Sequence, residues 1–185
     1  MNKQPKCKHC GERFTPVRST LERYCLKKEC VAAWIDKAKT YTKRKEKKDW
    51  KVQKKKMKES LKTKSEWVKE TQVVFNSYIR QRDVNQPCIS CGSKLTGKFD
   101  AGHYFPAGSY PMLRFEEDNC HGQCVHCNQH RHGNLPEYKI GLIGRIGQAR
   151  FDLLEKNRLI EKHYTIPELI VLKEIYKEKL RQMIL

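Results

Sequence analysis

Two short stretches decide how this chain folds: Pro87-Cys88-Ile89-Ser90-Cys91-Gly92 and Gln123-Cys124-Val125-His126-Cys127-Asn128. Each Cys-x2-Cys turn aims two sulfurs at one point, and two such turns complete a tetrahedral zinc site. Working outward, an upstream group repeats the theme with Cys7-x2-Cys10 and Cys25-x4-Cys30. Gly11, directly after Cys10, suits the tight turn that such a knuckle needs. Arg13-Phe14 and Tyr24 read as a small hairpin with a little apolar filling. His9 is an alternative ligand, but four thiolates suffice. Cys120 is left over and reads as a plain buried thiol.

The 185 residues carry 39 Lys+Arg against 21 Asp+Glu, a formal charge of +18. That balance calls for a polyanionic partner, with nucleic acid first; ribosome-binding and membrane-surface proteins share it. Only 38% of residues are hydrophobic and the mean hydropathy is −0.82. No apolar run long enough to span a membrane is present, so a membrane protein is excluded. The first residues lack the apolar stretch of a signal peptide, so the expected location is a reducing cytoplasm. Nine cysteines in that setting are metal ligands rather than disulfides.

Four segments are expected. Residues 1–36 form an N-terminal four-cysteine zinc module, and 37–64 a basic, partly helical linker. Residues 65–147 form a core around the second four-cysteine zinc site, and 148–185 add C-terminal helices. From 37 to 70 there are 15 Lys/Arg and no Gly or Pro. Lys43, Arg44, Lys54, Lys55 and Lys56 are its candidate phosphate contacts; a solvated linker that touches nothing is the bland alternative. Thr63 and Glu66 fit a capping box ahead of Val68, Thr71, Phe75, Tyr78 and Ile79 at helical spacing, with Pro87 as the stop. Further helices are expected over 135–146, stopped by Gly147, over 148–159, and from Thr165-x-Pro167-Glu168 through Leu180. Their apolar stripes read as core packing, with a helix-mediated homodimer as the other option.

Between the second pair of knuckles lie Asp100-Ala101-Gly102-His103-Tyr104 and Asp118-Asn119, and Asn128-Gln129-His130-Arg131-His132 follow directly. The order of knuckle, His, Asn, knuckle and Asn resembles the HNH, or ββα-metal, nucleases. His103 matches that family's first His, Asn119 the middle Asn and Asn128 the final position. More closely, Pro87–Gly92, Asp100–Tyr104, Leu113-Arg114-Phe115, Gln123–His130 and the run from Gly133 to Gly147 are similar to the NinG (Rap) recombination proteins of lambdoid phages. The N-terminal cysteines and the basic segment match as well, so the likeness spans nearly the whole chain.

The resemblance implies an α+β fold: a small zinc-stabilised ββα-metal core flanked by helices, with a separate zinc-ribbon-like N-terminal module. It also implies a phage- or prophage-encoded, structure-selective endonuclease that cuts branched DNA such as Holliday junctions and D-loops. A neutral imidazole accepts a proton from water near pH 7, which is the expected role of His103. A hard cation, Mg²⁺ or Mn²⁺, wants oxygen ligands, for which Asn128 and Asp100 are the candidates. Many HNH nucleases have Asp directly before the first His, where this chain has Gly102. Asn119 is expected to orient the loop beside His103. His130 is a further catalytic candidate, and Arg114 and Arg131 are candidate phosphate clamps. His121, His126 and His132 read as surface or phosphate-contacting histidines, with His132, like His130, an alternative metal ligand, phosphate donor or base; His163 receives no role. Two alternatives stand beside this reading: a catalytically inactive zinc-stabilised DNA-binding protein, which Gly102 favours, and a general nicking enzyme. An adaptor built on two zinc modules fits the charge poorly.

Overall fold

The computed structural model describes residues 4–19 and 21–183, which form two compact units divided between residues 61 and 62.

In the first unit, Cys7 N–H donates to the Glu12 carbonyl and Gly11 N–H to the Cys7 carbonyl, closing the knuckle with Gly11 at φ +77°. A single bridge, Lys6 to Arg13, replaces the expected hairpin, and Phe14 and Tyr24 pack against the cysteines. Helix α1 then runs unbroken from Lys28 to Ser60, 33 residues. The expected boundary between module and partly helical linker at residue 36 therefore falls inside one helix. The physical reason lies in its sequence. Cys30 sits in the first turn and anchors the helix to the tetrad, and good helix formers continue without Gly or Pro. Cys30 is its one buried residue.

The second unit is α+β. Helix α2 (Lys64–Arg82) opens with the capping box between Thr63 and Glu66. Strands β1 (Phe99–His103) and β2 (Cys120–Cys124) pair antiparallel, with Asp100 opposite Gln123 and His103 opposite Cys120. A five-residue π-helical turn (His126–His130) follows, then α3 (Leu135–Ile146), α4 (Gln148–Asn157) and α5 (Ile166–Gln182). A second capping box, Thr165 with Glu168, starts α5. The HNH resemblance puts Asn128 at the opening of the helix that follows the knuckle. It lies instead in the π turn, because His132, Gly133 and Asn134 all take positive φ and delay α3 to Leu135.

Two apolar clusters hold the unit. Trp67, Phe75, Tyr78 and Ile79 of α2 pack with Leu169 and Tyr176 of α5, and with Phe115 and Cys120. Ile89, Phe105, Leu113, Tyr138, Leu142, Phe151 and Leu154 form the other, joining α3 and α4 to the first knuckle. The hairpin alternates between them, as strand geometry requires. Ala101 and Cys120 meet the α2 cluster, while on the other face Tyr138 Oη donates to the Gly102 carbonyl at 2.8 Å. The end of α2 holds β2 through Arg82, which donates to the Cys120 carbonyl, and Asp83, which accepts from Gly122 N–H at 2.7 Å. Gly141 lets α3 lie against the knuckle: a Cβ there would sit 1.9 Å from the Ile89 carbonyl oxygen. Among the described residues no helix is long and apolar enough to cross a membrane.

Candidate metal centres and the hairpin site

Both cysteine groups assemble as the spacing predicts. Within Cys7/Cys10/Cys25/Cys30 and within Cys88/Cys91/Cys124/Cys127, all sulfurs lie within 4.8 Å of one another. Cys10 and Cys25 sulfurs are 3.8 Å apart, and those of Cys91 and Cys124 3.9 Å. With Zn–S bonds near 2.3 Å, a tetrahedron has an edge of about 3.8 Å, so both clusters have the size that zinc requires. Backbone N–H groups point at sulfur as they do at thiolates: Cys25 N–H at Cys7 Sγ (3.3 Å) and Cys124 N–H at Cys88 Sγ (3.3 Å). Charge agrees with geometry. Burial works against ionisation of Cys7, yet donated N–H groups bring it down to about 6, and Cys91, beside Ser93, behaves alike. Burial pushes Cys30 up and Cys127 to about 12. A divalent cation would offset the cost of ionising Cys30 and Cys127.

The hairpin site is built around Asn119, which is fully buried. Its Oδ1 accepts from Phe105 N–H at 2.8 Å, and its Nδ2 donates to the carbonyls of Phe105 (2.9 Å) and Leu113 (3.0 Å). That amide ties both ends of the 105–113 loop together and fixes the next carbonyl, Arg114, against His103 Nε2 at 2.9 Å. A carbonyl only accepts, so Nε2 carries the proton and Nδ1 holds the lone pair. Nδ1 faces Cys120 Sγ at 3.6 Å, and burial keeps that thiol protonated. Burial also holds His103 below the ordinary imidazole value, against the Arg114 hydrogen bond, so its ring is neutral at pH 7.

Asp100 and Asn128 meet elsewhere. Asp100 Oδ2 accepts from Asn128 Nδ2 at 2.9 Å and from Gln129 Nε2 at 2.7 Å. Asp100 stands three positions before His103 on one strand, so they project from opposite faces, about 10 Å apart along it. The structure thus brings Asp100 to Asn128, and links His103 to Asn119 through the 105–113 loop and the Arg114 carbonyl, as two groups rather than one cluster. Residues 1–184 match the family described as Bacteriophage Lambda NinG protein. The chain belongs to the NinG family. It is 46% identical over 125 residues to Protein ninG of Escherichia phage lambda, covering 67% of this chain and 60% of that one. The corresponding protein of Escherichia phage 933W is 45% identical and that of Salmonella phage P22 44%, each over 67% of this chain and 61% of the relative. The chain therefore spans about three fifths of the length of these curated NinG relatives. No solved structure matches it.

Other candidate residues are distributed unevenly in this NinG chain. Arg114 is half-buried and spends its guanidinium on the Ala107 carbonyl and Gln72 Oε1. Arg131 and His130 are exposed, with the His130 ring 6.1 Å from that of His126. Lys43, Arg44, Lys54, Lys55 and Lys56 all lie exposed on α1. Two residues to which the sequence pattern gives no role join the site. Gln129 is the second donor to Asp100. Gln123 explains Gly102: its Oε1 would lie 2.2 Å from a Cβ at position 102, and its Nε2 is held by Ser90 Oγ (2.7 Å) and the Gly133 carbonyl (2.6 Å). The signal for Gln123 is its place in Gln-Cys-x2-Cys, but only the fold shows which strand position it fills.

Proposed function

We propose that this NinG chain is a metal-dependent HNH-type DNA endonuclease acting on branched recombination intermediates in the cytoplasm of the phage's host. The observation that carries this reading is the Asn119 clamp. A fully buried amide spends its hydrogen bonds on a loop whose next carbonyl orients one neutral imidazole, and that is how a general base is prepared. His103 takes a proton from water, the resulting hydroxide forms a bond to phosphorus, and the phosphorus bond to the leaving 3′ oxygen breaks. Asn128 has the amide oxygen that a hard cation prefers, and Asp100 is the charged neighbour that orients it. Asn128 would hold Mg²⁺ or Mn²⁺, which would supply neutralisation of phosphate charge on its own face of the hairpin. His103 and Asp100 lie on opposite strand faces, so this reading gives Asp100 a positioning task. Zinc in the two tetrads holds the frame, Arg131 and the α1 cations take phosphates, and two copies act on a symmetric junction.

One observation favours a second reading, DNA binding without cutting. Both ring nitrogens of His103 have neighbours, the Arg114 carbonyl and the Cys120 thiol. Cleavage of a labelled four-way junction and a linear duplex, with and without Mg²⁺, separates the two. Junction cutting by the parent, lost in His103→Ala while zinc content and DNA binding persist, is the expected outcome. Binding without cutting across several divalent ions leaves the second reading; equal attack on linear duplex makes it a nicking enzyme.

A further inference from the structure

Helix α1 has a feature that the endonuclease reading does not use. Its 13 Lys/Arg face 5 Asp/Glu, a net +8, yet Trp34, Tyr41 and Trp50 stand among them 54%, 70% and 58% exposed. Their spacing is regular. Trp34, Lys37, Tyr41, Lys45, Lys48 and Val52 follow one another at three or four residues and share one helix face. Lys43, Lys47, Trp50, Lys54 and Met57 do the same on the opposite face. The first ribbon sets two aromatic rings and Val52 among three lysines, and the second sets Trp50 and Met57 among three lysines, on a helix about 50 Å long.

Three occupants fit an apolar ribbon, and charge separates them. A second copy of α1 would set Lys45 and Lys48 against their own counterparts in the seam, with +8 facing +8. A lipid surface wants one broad apolar face, whereas here the aromatic rings lie on opposite sides, each flanked by lysines. Single-stranded DNA offers what both ribbons ask for: phosphates for the lysines and unpaired bases for the rings. A duplex offers phosphates alone, because its bases are stacked on one another. We propose that α1 is a single-strand-binding platform, with Trp34, Tyr41 and Trp50 stacking on unpaired bases next to a branch point. This deepens the DNA reading above and rests on it.

Tryptophan fluorescence of the full-length, zinc-loaded chain tests it. The chain has three tryptophans, and Trp67 is buried in the other unit at 7% exposure, so quenching by added nucleic acid reports Trp34 and Trp50. Oligothymidylate should quench the signal. A Trp34→Ala/Tyr41→Ala/Trp50→Ala variant should bind oligothymidylate about tenfold or more weakly, with duplex affinity within about twofold. Phenylalanine at the same three positions should restore most of the single-strand affinity. Circular dichroism confirms that α1 remains helical, as expected for exposed positions. The proposal is overturned if the alanine variant binds oligothymidylate like the parent, or loses duplex and single strand equally. It also falls if anionic vesicles compete more strongly than oligothymidylate. A parent that binds duplex but not oligothymidylate removes this inference alone; a parent that binds neither removes the DNA reading with it.

Discussion

The two cysteine tetrads are built from one knuckle in two different settings. Cys7–Gly11 and Cys88–Gly92 make the same turn: an N–H from the first cysteine to the carbonyl five residues on, a glycine N–H back to that cysteine, and a positive-φ glycine. Beyond the turn they diverge. In the first unit the buried apolar residues are Cys7, Cys25 and Cys30, with only Phe14 and Tyr24 packed against them among the described residues. In the second unit Cys88 and Cys127 have Leu95 and Phe99 beside them, and two larger apolar clusters, one reaching the knuckle through Ile89, supply the rest of the core. A short segment cannot bury enough surface to offset its chain entropy, so there the tetrad is the core. Where helices supply a core, the tetrad is a staple that sets where the hairpin ends and the π turn begins.

Removing metal should give the largest effect and the sharpest contrast. Structural zinc contributes roughly 10–16 kcal/mol in isolated finger peptides, more than a segment like 4–30 can supply from packing. Elemental analysis should find two zinc ions per chain. On chelation, the Phe14 and Tyr24 resonances should collapse to unfolded positions while those of Phe75 and Tyr176 stay dispersed. Simultaneous loss of both sets would mean that the second tetrad is as much a core as the first.

Acid should act next, and on the second unit. His121 is buried at 3% exposure with Nδ1 unpartnered, and burial, with the nearby Arg82 charge, lowers it to about 3. His9, in the first unit, is exposed. A depressed histidine leaves stability untouched above the unfolded value near 6.5. As pH falls from there toward 3, the unfolded chain binds a proton that the native state refuses. Stability of the second unit should therefore drop by up to about 1.4 kcal/mol per pH unit in that window. His121→Phe, with both tetrads retained, should make this slope shallower in the urea midpoints, leaving the part due to His103, which burial also depresses. Parallel profiles for parent and variant would assign the acid sensitivity to groups other than His121.

How far the sequence could be read follows the same division. The tetrads, the capping boxes at Thr63 and Thr165 and the helix stop at Gly147 are local patterns, and each appears where its residues stand. The continuity of α1 is hidden because its apolar residues are sparse and interleaved with lysines, so no apolar stripe marks a packed face. The relation of Asp100 to His103 was undecidable before the strand was known: alternation separates them only if both lie in one regular strand, and they do. Gln129 carries no signature, and Gln123 only its place directly before Cys124. An amide side chain acquires a role only when a fold brings a partner to it, here Ser90 and Gly133 for one and Asp100 for the other.

Glycine offers the smallest and most local contrast between metal knuckle and hairpin. Gly11 and Gly92 have φ near +70°, and a Cβ added at either would meet nothing within 4 Å, so Gly11→Ala and Gly92→Ala bring backbone strain and no collision. Each should cost about 1 kcal/mol, alike in the two units. Gly102 has ordinary strand geometry and the opposite problem. A Cβ there meets Gln123 Oε1 at 2.2 Å, and the amide cannot retreat because Ser90 and Gly133 hold its other end. Gly102→Ala should therefore cost about 1–3 kcal/mol by overpacking. Gln123→Ala opens the space but leaves the Gly133 carbonyl with only the longer 3.4 Å bond from Ser90 Oγ, at a similar cost. Carrying both substitutions should cost less than the two separately, with a coupling of about 1 kcal/mol measured by urea denaturation. Additive losses would mean that Gln123 moves aside freely, and Gly102 would then need another explanation than the side chain across the hairpin.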